Sequence, residues 1–282
     1  MQTLSFSISK FMKKFISTIV LFSLYLSSIY CQNYILKENV SYIPAEDTDA
    51  YKKERCKLDI YYPNGKTDYT TVVWFHGGGL EGGEKGIPDE LKNKGIAVVS
   101  VNYRLSPKAK NPAYIEDAAQ SIAWVFNNIS SFGGNTEKIF VSGHSAGGYL
   151  ALMVALDKSY LQKYNIDADK IKGTIPISGQ TNTHYTIKKE RNLAFDIPYI
   201  DEYAPISHAR KDASPMLLVT GDKRMELTAR YEENAQLNAI MKAVGHKNIE
   251  FYELQGFDHG NVYAPACLLM LNWINKINKD KK

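Results

Sequence analysis

Five residues restrict this chain more than any others: Gly143-His144-Ser145-Ala146-Gly147. The β-branched and aromatic run Ile139-Phe140-Val141 leads into them, and Gly148-Tyr149-Leu150-Ala151-Leu152 begins an Ala/Leu/Met-rich stretch directly after. Strand, sharp turn and helix in that order put a serine at the tip of a strained turn. There the strand and helix approach too closely for side chains two residues on either side. Gly143 and Gly147 supply that clearance, so the spacing has a steric cause. A serine so held stands at the carboxyl end of a sheet, facing a helix N-terminus whose partial positive charge favours a developing oxyanion. An incidental serine in a Gly-rich turn is the plainer reading, and the flanking pattern argues against it. Ser145 is a candidate nucleophile in an α/β protein.

The rest of the chain fits that frame. Short β-rich runs at 34–42, 57–62, 71–76, 96–101, 139–141, 173–178, 216–220 and 249–254 alternate with helical patterns. Helices are expected over 84–93, 112–128, 146–156, 228–244 and 262–277. The expectation is a mostly parallel eight-stranded sheet flanked by helices. Residues 181–204 lack clear periodicity and suit a small cap segment at most. There is no internal repeat and no low-complexity linker.

Lys10, Lys13 and Lys14 precede an apolar run from Phe15 to Leu26, the layout of an export signal. The run is short for a membrane span, which needs about 20 residues. We expect a signal peptide over 1–31 and a catalytic domain over 32–282, exported to the periplasm or secreted, with no stable membrane insertion of the mature chain. Tyr30 stands where a lipoprotein needs a small residue, so anchoring through Cys31 is the lesser alternative. The formal charge of +4 owes much to those three lysines, and the remainder is close to neutral. No basic run interleaved with aromatics points to nucleic acid. Cys56 and Cys267 are left, and their pairing stays open; Cys267 lies in an apolar helical run and reads as a buried small hydrophobe. No Cys/His spacing suggests zinc, and no metal is indicated.

A serine hydroxyl needs a base, commonly a histidine oriented by a carboxylate. Of the six histidines, His259 follows the last predicted strand and precedes the last helix. A loop there opens onto the same sheet edge as Ser145, and it satisfies the chain order serine, acid, histidine. The acid should leave the strand at 216–220, where Gly221-Asp222-Lys223-Arg224-Met225-Glu226 offers two carboxylates. Asp222, at the strand end, is narrowly preferred over Glu226. A second motif, His76-Gly77-Gly78-Gly79, follows a buried strand. Its glycines let backbone N–H groups approach an anion, and with the Ala146 N–H they would form an oxyanion hole. A phosphate loop would need a Gly-Lys-Ser/Thr ending that is missing.

These motifs, together with Asn102-Tyr103-Arg104-Leu105, Phe132-Gly133-Gly134-Asn135 and Gly256-Phe257-Asp258-His259-Gly260, resemble the hormone-sensitive-lipase-like and carbohydrate-esterase-like carboxylesterases of the α/β-hydrolase superfamily. The resemblance implies Ser145 as nucleophile, His259 as base, and Gly78, Gly79 and Ala146 as oxyanion donors. It usually sets the acid three residues after the strand-end glycine, where this chain has Arg224, so the acid stays open between Asp222 and Glu226. The expected activity is hydrolysis of short-chain acyl esters, carbohydrate esters among them, through an acyl-enzyme and without a cofactor. An aryl formamidase or exopeptidase would use the same triad, and a non-catalytic binding module is the remaining alternative. Lys188, Lys189, Glu190 and Arg191 make the cap segment a poor grip for a fatty chain. Oligomeric state cannot be read from the sequence.

Overall fold

The inner strands of the sheet are mostly apolar runs, which must be covered on both faces, and its edge strands are more polar. The computed structural model describes residues 33–279; the signal segment over 1–31 and Cys31 lie outside them. In chain order the elements are β1 (Tyr34–Ser41), α1 (Ala50–Arg55), β2 (Lys57–Pro63), β3 (Tyr69–Phe75), β4 (Ala97–Val101), α2 (Ala113–Asn128), β5 (Gly134–His144), α3 (Ala146–Leu156) and α4 (Ser159–Gln162). There follow β6 (Gly173–Ile177), α5 (Tyr185–Glu190), β7 (Met216–Gly221), α6 (Arg230–Ala243), β8 (Ile249–Leu254) and α7 (Tyr263–Lys279). Eight strands form one sheet in the order β1-β2-β4-β3-β5-β6-β7-β8. Only β2 pairs antiparallel, with β1 and with β4; the remaining pairs are parallel.

All seven residues of β3 and all five of β4 are buried, which explains why only Thr70, Thr71 and Ser100 interrupt their apolar sequence. The two-residue strand period splits them between faces. Val73 and Phe75 pack with α2 and α3, whereas Val72 and Trp74 pack with Met270 and Trp273 of α7. The helix α3, which follows Ser145, is buried along its whole length, held between the sheet and its neighbours. Cys56 and Cys267 are free thiols in different apolar clusters.

The helix expected over 84–93 does not form; only a single 3₁₀ turn, Asp89–Leu91, occurs there. Gly86 and Pro88 disfavour a helix, and polar side chains leaving β4 take the backbone groups a helix would have used. Ser100 Oγ accepts from Gly86 N–H at 2.7 Å and donates to Gly86 O at 2.9 Å, while Asn102 Oδ1 accepts from Lys85 N–H at 2.6 Å. The sequence also gave no warning of α1, α4 and α5, each six residues or fewer. Among the described residues no helix is long and apolar enough to cross a membrane.

Candidate active site

Ser145 joins β5 to α3 at φ 56, in the left-handed region that a side chain rarely enters. Its N–H donates to Ile177 O at 2.9 Å, tying the turn to β6. A Cβ on Gly143 would lie 2.5 Å from the backbone carbon of Gly147, and one on Gly147 would overlap the Phe75 carbonyl. The clearance inferred from the sequence is therefore real. Ala146 is the first residue of α3, so its amide belongs to the helical N–H groups without an intrahelical acceptor.

His259, on the loop after β8, brings Nε2 to 2.9 Å from Ser145 Oγ and Nδ1 to 2.8 Å from Glu226 Oε2. A carboxylate only accepts, so the imidazole proton sits on Nδ1 and Nε2 is the lone pair facing the serine hydroxyl. His144 Nε2 lies 2.8 Å from His259 O and supports that loop from below. Burial pushes the His144 imidazole down to about 4, so it is neutral at pH 7.

The structure brings Glu226, and not the preferred Asp222, to His259. The Asp222 carboxylate turns away from His259 and accepts from Arg224 Nε at 3.0 Å, Arg224 Nη2 at 2.7 Å and Gly256 N–H at 3.0 Å. These donors, the Arg224 guanidinium foremost, hold its pKa far below the usual carboxylate range. Beyond β7 the backbone folds back, with Met225 N–H and Glu226 N–H donating to Asp222 O at 2.8 and 2.9 Å. This turn aims the longer Glu226 side chain at His259. Glu226 Oε1 accepts from Gly221 N–H at 2.9 Å and from the Ser178 hydroxyl. Burial acts to raise the Glu226 pKa, but hydrogen bonds from His259, Ser178 and Gly221 outweigh it and bring the group to about 2. Arg224, at the position where the resembled family usually has its acid, serves Asp222 instead.

The glycine turn after β3 passes beside Ser145: a Cβ on Gly77 would lie 3.4 Å from Ser145 Cβ. Gly78 and Gly79 adopt φ 107 and 65. A side chain on Gly78 would overlap the Gly82 carbonyl, and one on Gly79 the Tyr185 hydroxyl. Gly78 O accepts from Gly82 N–H at 2.9 Å, and Gly79 O accepts from the Thr186 hydroxyl. His76 stacks on Tyr103 with ring centroids 4.4 Å apart, its Nδ1 2.6 Å from Gly77 O. Burial brings this imidazole down to about 4 as well.

The cap segment packs against this turn through α5. Its charged run is taken up in pairing, within the segment and with the glycine turn's neighbour Glu81. Lys188 Nζ donates to Phe195 O at 2.5 Å and Ile197 O at 2.7 Å, Lys189 pairs with Glu81 at 2.6 Å, and Arg191 pairs with Asp201 at 2.5 Å. Apolar side chains are left outward instead, Phe195 72% and Ile197 62% exposed, so the segment carries more apolar surface than its charges suggested. An open cleft of about 570 Å³ lies between it and the glycine turn, lined by Glu81, Tyr185, Lys189, Asn192, Leu193 and Phe195. Sequence reasoning missed Ser178. The available signal was its place at the carboxyl end of β6, the sheet edge that also presents Ser145.

Comparison with known proteins adds an independent finding. Residues 58–241 match the BD-FAE family. The isoprenylcysteine alpha-carbonyl methylesterase ICMEL1 of Oryza sativa subsp. japonica, a probable assignment by its own description, is 35% identical over 141 residues, covering 46% of this chain and 33% of that protein. Esterase LipC of Mycobacterium tuberculosis is 24% identical over 279 residues, covering 87% of this chain and 67% of its own. The chain thus spans between a third and two thirds of the length of these curated relatives. A solved structure described as a truncated carbohydrate esterase from gut microbiota superposes with a TM-score of 0.72 at 18% identity, over 89% of this chain and 98% of that one. At that identity the likeness speaks to the fold, which is that of an α/β-hydrolase.

Proposed function

The chain belongs to the BD-FAE family, and from that premise we propose that it is a serine carboxylesterase acting through Ser145, His259 and Glu226. One observation carries the reading: the unbroken line of contacts from Ser145 Oγ through both imidazole nitrogens of His259 to Glu226 Oε2. The Ser145 oxygen attacks the ester carbonyl carbon while its proton passes to His259 Nε2. The carbonyl oxygen becomes an oxyanion, for which the N–H groups of Gly78, Gly79 and Ala146 are the donors. Glu226 stabilises the imidazolium. Collapse of the tetrahedral species breaks the carbon–oxygen bond to the alcohol, which leaves with the proton from His259. Water, deprotonated by the same nitrogen, then attacks the acyl-enzyme; the acid is released and Ser145 recovers its proton. These steps use side chains and backbone of the chain alone.

The substrate reading is a short acyl ester, carbohydrate esters among them. It draws on the described activity of the structural neighbour and on the open cleft beside Tyr185. Export follows from the basic and apolar segment at Lys10–Leu26 and belongs to the same proposal. The test is hydrolysis of p-nitrophenyl acetate with fluorophosphonate labelling. Wild type should turn over and label, and Ser145→Ala should do neither while melting normally. Turnover persisting in Ser145→Ala would end the proposal.

A further inference from the structure

The turn that leaves β6 touches both ends of the proposed triad. Ile177 O receives the Ser145 N–H at 2.9 Å, and the next residue, Ser178, donates its hydroxyl to Glu226 Oε1. Ser178 is fully buried at φ 47, a left-handed conformation that persists only where its surroundings over-determine it. Those surroundings are specific. Ser178 N–H donates to Val219 O on β7 at 2.7 Å, and Ser178 O accepts from Arg230 Nη1. Asn234, one helical turn beyond Arg230, donates to Gly179 O at 2.8 Å. One buried face of α6 therefore holds both carbonyls of the turn. On the opposite side a Cβ on Gly179 would come 2.8 Å from the Gly148 backbone carbon, so the turn is wedged against α3 too. Arg230 is 4% exposed, forms no ion pair within 4.0 Å among the described residues, and leaves Nε without a partner. A buried cation in that condition is costly, which argues that its hold on the turn matters.

We propose that Ser178 is a positioning residue whose hydroxyl aims the Glu226 carboxylate at His259, with Arg230 and Asn234 fixing the turn that carries it. The inference rests on the triad proposed above. Glu226 stands on an irregular turn after β7, and rotation of its carboxylate would break the contact with His259. Two donors on Oε1, the Ser178 hydroxyl and Gly221 N–H, set the plane so that Oε2 faces the imidazole. A purely structural role for Ser178 makes a different forecast. At φ 47 glycine is at least as comfortable as serine, so Ser178→Gly would then be silent.

The experiment is Ser178→Gly and Ser178→Ala, each alone and combined with Glu226→Gln, measured for kcat, KM and melting temperature with p-nitrophenyl acetate. The lost bond is one to a charged group, so kcat should fall about 10- to 100-fold with KM within about twofold. In the Glu226→Gln background neither substitution should cost more, because no carboxylate is left to aim. Ser178→Ala keeps a Cβ, so agreement between the two variants assigns the loss to the hydroxyl rather than to the turn, even should one of them fold poorly. A folded variant with kcat within about threefold of wild type, or the full loss repeated in the Glu226→Gln background, overturns the proposal. Fluorophosphonate labelling separates the failures: an unlabelled wild type defeats the esterase reading, whereas a labelled wild type with silent Ser178 variants defeats only this one.

Discussion

Glu226→Gln is the substitution whose consequence follows most directly from the geometry. Glutamine preserves the shape of the side chain and replaces one oxygen by an NH₂ group. Two donors converge on Oε1, the Gly221 N–H and the Ser178 hydroxyl, against one backbone donor on Oε2, the Leu227 N–H at 3.1 Å, so the amide oxygen takes the Oε1 position. The NH₂ group then faces His259 Nδ1, where Oε2 stood at 2.8 Å. Because NH₂ only donates, Nδ1 must become an acceptor and the imidazole proton moves to Nε2. The nitrogen facing Ser145 Oγ at 2.9 Å can then no longer take a proton from it. A triad held in the wrong tautomer loses about 10⁴ in kcat, equivalent to about 5 kcal/mol of barrier at 1.36 kcal/mol per decade. Asp222→Asn keeps an acceptor for Gly256 N–H and should stay within about threefold of wild type, since its partner Arg224 is a surface group. Steady-state kcat/KM for p-nitrophenyl acetate, measured on both variants with melting curves as control, decides the matter. A large loss in Asp222→Asn with Glu226→Gln silent would refute the assignment, and two silent variants would place the acid elsewhere.

Gly147→Ala should destabilise by about 1–3 kcal/mol or prevent folding, because the new Cβ overlaps the Phe75 carbonyl; thermal melting measures it. His76 and His144 are both held down to about 4 by burial, below the ordinary 6.5 of the unfolded chain. The folded state thus binds fewer protons than the unfolded one, and stability present above pH 6.5 is lost as pH falls towards 4. The melting temperature should drop across that window, and His76→Gln should flatten the drop; an unchanged slope would refute the account. Across p-nitrophenyl acetate, butyrate, octanoate and palmitate, kcat/KM should peak at the short end. Each methylene contributes its ~0.8 kcal/mol only when buried, and Phe195 and Ile197 stand largely in solvent. A rise towards palmitate would contradict this.

What could be read in the sequence was what local chemistry decides. β3 and β4 announced themselves because both faces are covered and nearly every position is apolar. The elbow did so because Gly143 and Gly147 answer a steric demand between elements adjacent in the chain. The helix misplaced over 84–93 shows the converse. Gly86 and Pro88 were local warnings, but the decisive bonds come from Ser100 and Asn102 on a strand that follows later.

The carboxylate partner of His259 failed to show for the same reason in sharper form. Both carboxylates sit in one short stretch after the same strand, and proximity to the strand end favoured Asp222. Its closeness is what disqualifies it: at the start of the turn its short side chain is captured by Arg224 two residues away and by Gly256 N–H across the loop. Glu226 reaches His259 because the backbone reverses in between, and it stays there through a hydroxyl 48 positions away in sequence. A linear reading measures distance from the strand, whereas the site is set by the direction in which the turn returns. The carboxylate it delivers is met by Ser178, which carries no motif and is marked by a strained backbone at the end of β6. Residues that do chemistry leave local patterns because their own turns must be built; residues that aim them need only a partner, and the partner comes from another strand.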